Sequence, residues 1–282
     1  MVDSPIAVTG CTGTVGRYVA HLLAQRDVPQ RLIARDPARA PNVPNSEVTG
    51  AEYADHRAMV AALSGVDTVF FVSAHEEPTR VQQHETVIAA MAEAGVRRVV
   101  YTSFLAAAPW ASFTFAREHC ATEHAMQQAG LSVTALRNTM YADLVPHLVG
   151  DDDVLRGPGG DGRIAWVARA DIARLAVETL CDDTHAGTVY DVTGPRSLTL
   201  HETAQVLSGV TGRSIRYHAE TESEARAWRQ KQAADYFIDG WIGSYLGIAT
   251  GELAVVSHTI EHVTGTRPKT LRELLTAGGP FV

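Results

Sequence analysis

A chain of 282 residues, 45% hydrophobic and 20% charged, is long enough to bury a full core without disulfide or metal staples. Its formal net charge of -8 gives nucleic acid no general attraction, and no run approaches the roughly 20 apolar residues of a membrane-spanning helix. The cysteines, Cys11, Cys120 and Cys181, have neither disulfide-framework nor metal-ligand spacing, so a reducing, cytoplasmic setting and no bound metal are expected. The chain opens on its first strand with no basic, apolar leader, so no targeting segment is expected either.

Ile6, Ala7 and Val8 predict a buried strand. Gly10, Gly13 and Gly16 follow at G-x-x-G-x-x-G spacing, and Val15, Val19, Leu22 and Leu23 then recur at helical period. Further strands are predicted at 31–34, near 47–49, and at 67–72, 96–102 and 131–136. Helices are predicted between them at 56–63, 80–94 and 112–128, so the sheet is parallel with helical crossovers. After residue 138 the rhythm loosens. Residues 150–153 and 157–162 have loop composition, and no strand is expected to lead into the second of these. A helix at 171–180 and a strand at 189–192 come next. Thr199 with Glu202 forms a capping box opening a helix to Val210, and 215–217 is a short strand. From Thr221 onward the pattern is mostly helical. The fold class is α/β: a Rossmann-type doubly wound parallel sheet with a smaller, mostly helical C-terminal lobe. Residues 1–140 make the nucleotide-binding domain, with a later strand from about 188–193, and 141–282 make the interleaved substrate-side lobe.

In such a sheet, ligands sit beyond the carboxyl ends of the strands, which selects 10–16, 34–39, 73–77, 102–105 and 137–145. A glycine turn opening a helix offers backbone N–H groups and a positive dipole end to a diphosphate. Gly10, Thr12, Gly13, Thr14, Val15 and Gly16 are therefore candidate cofactor-binding residues, with Ser73, Thr102 and Ser103 at later strand ends. At the tip of the second strand stands Arg35 rather than an acid, with Arg39 nearby. A guanidinium there forks onto a 2′-phosphate, which selects NADP(H) over NAD(H). Asp36 either accepts a ribose hydroxyl or caps the following Pro37 turn.

Residues 9–16, 34–37, 101–103, 119–123, 136–141, 169–173 and 190–194 together carry a resemblance that spans nearly the whole chain. In order and spacing the sequence resembles the atypical, NmrA-like branch of the short-chain dehydrogenase/reductase superfamily, including its NADPH-dependent quinone oxidoreductases and triphenylmethane reductases. The wider superfamily carries a Tyr-x-x-x-Lys pair on the helix after the Thr-Ser strand. This chain has Phe115 and His119 at that register. The resemblance implies that His119 keeps the ribose-holding part, and a proton-donor role for it stays open. Glu123, four residues on, is expected to favour the charged imidazole. Asn138 and Tyr141, by the same likeness, line the substrate side, where Tyr141 is a second catalytic candidate. Phe104, Leu105 and Trp110 would form an apolar wall, while Trp166 and Trp241 are expected in the core.

A phenylalanine in place of the acid narrows the chemistry. Reduction of a simple ketone leaves a basic alkoxide, whereas reduction of a quinone leaves an anion stabilised by conjugation. The reading is an NADPH-dependent enzyme passing hydride to a quinone or another conjugated, electron-poor aromatic molecule. Two alternatives share the fold: a non-catalytic NAD(P)-sensing regulator that binds a partner protein, and a biosynthetic ketone or imine reductase or isomerase. A homodimer is expected because two-fold assemblies are the commonest, and no nucleic acid or membrane partner is expected.

Overall fold

The computed structural model describes residues 4–231 and 233–277. The chain divides into two compact units. The first takes the residues up to Ser103, Glu118–Arg137 and Ile172–Tyr190. The second takes Phe104–Arg117, Asn138–Asp171 and the chain from Asp191 onward.

The first half alternates as read: β1 (Ile6–Val8), α1 (Thr14–Gln25), β2 (Gln30–Ala34), β3 (Ser46–Gly50), α2 (His56–Leu63), β4 (Thr68–Phe71), α3 (Arg80–Glu93), β5 (Arg98–Phe104), α4 (Thr114–Gln128) and β6 (Ser132–Asn138). Then come β7 (Val154–Gly157), β8 (Arg163–Ile164), α5 (Arg169–Cys181) and β9 (Val189–Val192). The main sheet has seven strands in the order β3-β2-β1-β4-β5-β6-β9. Its order reverses between β1 and β4, which pair in parallel through Ala7↔Val69 and Val8↔Phe70. That is the switch point of a doubly wound sheet, where a ligand crevice opens at the strands' carboxyl ends. All residues of β1 and β4 are buried, as strands covered by crossover helices on both faces must be. Helix α1 turns Val15, Gly16, Val19, Ala20 and Leu23 inward, one stripe at helical period. Tertiary pairing carries β5 and β6 two residues beyond their predicted ends, so Ser103, Phe104 and Asn138 lie within strands rather than after them.

The second unit continues with β10 (Leu198–Thr199), α6 (Leu200–Thr211), β11 (Arg216–Ala219), α7 (Glu222–Arg229), α8 (Asp235–Ala249), α9 (Thr259–Thr264) and α10 (Leu271–Thr276). The expected capping box is present: Thr199 Oγ1 accepts from the Glu202 N–H at 3.0 Å, and Glu202 accepts in return from the Thr199 N–H at 2.8 Å. Two small sheets, β7–β11 parallel and β8–β10 antiparallel, join the expected helices. The expectation that no strand leads into 157–162 is corrected, since β7 ends at Gly157. The next element is β8 rather than a helix, so no phosphate loop forms there. The Tyr217 hydroxyl ties this turn, donating to the Gly157 carbonyl and accepting from the Gly159 N–H. Leu155, Ile164, Trp166, Leu200, Tyr217 and Ile248 are central to the core of this unit.

Candidate cofactor site

The three loop glycines are needed for different reasons. Gly10 has φ +58°, and a Cβ there would stand 2.8 Å from the Val72 Cβ. On Gly16 a Cβ would overlap the Gly10 carbonyl oxygen. Gly10 is closed to side chains by its positive φ and by Val72, and Gly16 by the backbone of the turn itself. Gly13 differs: its φ is -84°, and an added Cβ would meet only the Gly10 oxygen at 3.4 Å. The protein's own packing therefore leaves room for a side chain at Gly13. Gly13 is also the N-cap of α1 and supplies no side-chain cap, so the Thr14, Val15 and Gly16 N–H groups have no intrahelical acceptor. These observations fit a dinucleotide diphosphate. Val15 is buried, so its backbone alone can serve, while Thr12 and Thr14 are half-buried. Cys11 is buried and donates to the Ile33 carbonyl, and burial pushes its thiol up to about 11, away from nucleophilic chemistry.

Arg35 stands exposed directly past β2. Of the two roles read for Asp36, the cap is realised: its carboxylate accepts from the Ala38 N–H at 3.1 Å. One cation escaped the sequence reading. Arg17 of α1 donates to the Arg39 carbonyl at 3.4 Å, adding a guanidinium beside the Pro37–Arg39 turn. His75 and Glu76 are exposed.

Past β4 the chain leaves the sheet and is held by side chains. The Val72 N–H donates to Thr9 Oγ1 at 3.0 Å, and the Tyr53 hydroxyl donates to the Val72 carbonyl at 2.6 Å. The Ser73 N–H donates to Thr102 Oγ1 at 2.8 Å, and the Ala74 N–H to His84 Nε2 at 2.9 Å. The sequence alone assigns no chemistry to Tyr53 or to His84. For His84 the signal was there: Arg80, His84, Val87, Ile88 and Met91 share the buried face of α3, and two polar residues on such a face require partners.

His119 is buried in a polar cluster. Arg80 Nη2 donates to its Nε2 at 2.9 Å; an arginine only donates, so Nε2 carries the lone pair. The proton of the neutral ring is then on Nδ1, which donates to the Tyr101 hydroxyl at 2.9 Å. Burial first, then the charge of Arg80 and the neighbouring His84, hold the imidazole well below its ordinary basicity. The expectation that Glu123 favours a charged His119 is thus corrected. Glu123 accepts from the Ser103 hydroxyl and takes a two-pronged grip from Arg137, at 3.0 and 2.7 Å. Position 115, where the resemblance to the short-chain dehydrogenase/reductases would place a tyrosine, is a buried phenylalanine. Its ring lies 5.1 Å from that of Tyr236 and fills the space a Cβ on Gly240 would need.

In the second unit, Phe104 ends β5 with its ring 4.7 Å from that of Phe113, and Asn138 is buried at the end of β6. Tyr141 bridges to Val167, with the Arg169 guanidinium 4.9 Å over its ring. The expected apolar wall is corrected: Leu105 packs into the core, and Trp110 is 82% exposed. Trp166 is in the core, its indole N–H donating to Thr203 Oγ1 at 3.0 Å, but Trp241 is 40% exposed, against expectation. Asp152 and Asp153 pair with Arg156 and Arg213.

Strand order, glycine turn and uncapped helix define a nucleotide-binding α/β protein of the doubly wound class. Comparison with known proteins narrows this. The NmrA-like family profile matches residues 2–228, and the chain belongs to that family, as its motifs implied. Quinone oxidoreductase 2 of Escherichia coli is 32% identical over 277 residues, 95% of this chain and 96% of that one. Its structure, complexed with NADPH, superposes with a TM-score of 0.88, covering 96% of this chain and 99% of that one. NAD(P)H azoreductase of Xenophilus azovorans is 30% identical over 96% of this chain and 97% of its own. Triphenylmethane reductase of Citrobacter sp., complexed with NADP(H), superposes with a TM-score of 0.84 at 25% identity, covering 97% of this chain and 100% of that one. Among the described residues no helix is long and apolar enough to cross a membrane.

Proposed function

We propose that this protein is an NADPH-dependent oxidoreductase whose acceptor is a quinone or another conjugated, electron-poor aromatic molecule. NADPH, when bound, supplies the hydride. The Thr14, Val15 and Gly16 N–H groups hold its diphosphate, with Gly10, Thr12 and Gly13 shaping the turn, and Arg35 holds the adenosine 2′-phosphate. Ser73, Thr102 and Ser103 border the rest of the cofactor, and the first unit is the nucleotide-binding domain. Phe104, Asn138 and Tyr141 contact the acceptor. Phe115 carries the choice of acceptor class: a buried ring without a hydroxyl stands where the superfamily keeps its acid. His119 does not replace that acid, because it is neutral and engaged at both ring nitrogens. It supports the cofactor side from beneath, which leaves Tyr141 as the candidate for any proton delivered by the protein. An acceptor whose reduced form is stabilised by conjugation needs mainly positioning against the hydride donor. Near full-length likeness to a quinone oxidoreductase and an azoreductase supports the same class. The three free cysteines and the frequency of two-fold assemblies favour a cytoplasmic homodimer.

The test is to mix the protein with NADPH and a panel of quinones and follow the loss of nicotinamide absorbance. Turnover of quinones above the uncatalysed rate, with simple ketones left untouched, is the expected result. Tight NADPH binding with no turnover of any acceptor would replace the enzyme with a nucleotide-sensing regulator. Efficient ketone reduction would mean that an acid stands elsewhere.

A further inference from the structure

We propose that residues 72–74 form a preset ledge for the cofactor, and that His84 and Tyr53 are the positioning residues that set it. This rests on the nucleotide-binding reading above and adds to it two residues that touch neither substrate nor cofactor. The ledge leaves the carboxyl end of β4, the strand that makes the switch point with β1. It packs against the glycine turn, since Val72 is the side chain that a Cβ on Gly10 would strike. A dinucleotide lying on that turn has this segment as its neighbour.

Side chains from four places in the fold reach the ledge backbone. Thr9 follows β1, Tyr53 precedes α2, Thr102 lies in β5 and His84 in α3. Such a segment would ordinarily take its hydrogen bonds from solvent and move with it. Here Thr9, Thr102 and His84 are buried, a placement that is unfavourable for polar groups unless their partners are fixed. The His84 bond admits only one state of the ring. The Thr122 hydroxyl donates to the Glu118 carbonyl at 2.9 Å, so its oxygen must accept from His84 Nδ1, 2.8 Å away. Nε2 is thereby left as an acceptor aimed at the Ala74 N–H. The ring is wedged edge-on against Phe71 and Tyr101, at 5.1 and 6.1 Å between centroids, so it cannot swing away without disturbing the core. Tyr53 completes the latch, its hydroxyl reaching both Thr9 Oγ1 and the Val72 carbonyl at 2.6 Å.

The experiment compares wild type with His84→Leu, His84→Gln and Tyr53→Phe. NADP+ is titrated by calorimetry, hydrogen exchange is read over 72–76 in the free protein, and KM is separated from kcat for NADPH. His84→Leu should weaken NADP+ about tenfold and speed exchange at the ledge, with kcat at saturation within about twofold. His84→Gln, whose amide offers both an acceptor and a donor, should restore most of the loss. Tyr53→Phe removes one oxygen and should weaken binding about three- to fivefold. Should His84→Leu fail to fold, the Tyr53→Phe titration decides. If wild type binds NADP+ and the folded variants bind it within twofold, the ledge proposal is wrong while the nucleotide reading stands. If wild type binds no NADP+, the nucleotide reading is the part that fails.

Discussion

Arg80 in the first unit and Arg229 in the second are nearly equal in burial, 1% and 3% exposed, and each leaves its Nε without a hydrogen-bond partner. Their surroundings differ. Arg229 closes α7 by donating to the Ala225 carbonyl at 2.9 Å and to Glu220, itself buried, at 3.0 Å. It also lies over the rings of Trp228 and Trp241, at 5.4 and 4.8 Å. Its charge is answered where it stands, so it acts as a staple. Arg80 meets a partly exposed Glu118 at 3.1 Å and the ring of His119. Its charge helps to keep both His119 and His84 neutral. Burial of a cation is thus no mark of function by itself. What separates the two arginines is whether the charge ends in a closed pair or sets the state of other ionisable groups.

The sharpest way to break this contrast is to remove each guanidinium in turn. Arg229→Met strands the buried Glu220 carboxylate and should lower unfolding free energy by about 3–5 kcal/mol in urea melts. Arg80→Met should cost less, about 1–3 kcal/mol, because Glu118 can rehydrate. Equal losses would erase the distinction. A pH titration of stability comes next in size and bears on the first unit alone. His84 is pushed down to about 3 by burial and by Arg80, and His119 falls in the same direction. Both take up protons more readily in the unfolded chain. Their contribution is therefore complete above the unfolded value of about 6.5 and is lost as pH falls below it, for His84 down to about 3, by roughly 1 kcal/mol per histidine per pH unit. Melting temperatures between pH 7.5 and 5 check this, and His84→Gln should halve the slope.

Two glycine substitutions sharpen the comparison between fold and ligand. Gly16→Ala forces a Cβ onto the Gly10 carbonyl and should cost about 1–3 kcal/mol in urea melts. Gly13→Ala should leave stability within about 0.5 kcal/mol yet weaken NADP+ more than about tenfold, because only the ligand needs that space. Loss of stability in Gly13→Ala would return this position to the fold. The smallest effect is expected of Arg35→Ala, about tenfold or roughly 1.4 kcal/mol in the KM for NADPH, with NADH nearly unchanged. An equal effect on both would remove Arg35 from the 2′-phosphate.

Much of the first unit was legible because its signals are local. An apolar triplet, three spaced glycines and a 3.6-residue stripe lie within the first 25 residues, and β1, the turn and α1 need nothing distant to be recognised. The capping box at Thr199 is equally local. The second unit was less legible. Its β7 and β8 are four and two residues long and exist as strands only through β11 and β10, which lie far along the chain. Periodicity has no purchase on elements so short.

The amino-acid order alone determined a doubly wound nucleotide fold, a bare helix start, a cation beyond the second strand and a phenylalanine at position 115. The charge state of His119 and the role of His84 were decided only by tertiary structure. Helical spacing placed Glu123 beside His119, but folding brings Arg80 to that ring from 39 residues away and turns Glu123 to Ser103 and Arg137. Protonation answers to burial and to the nearest charges in space, and neither quantity is written along the chain.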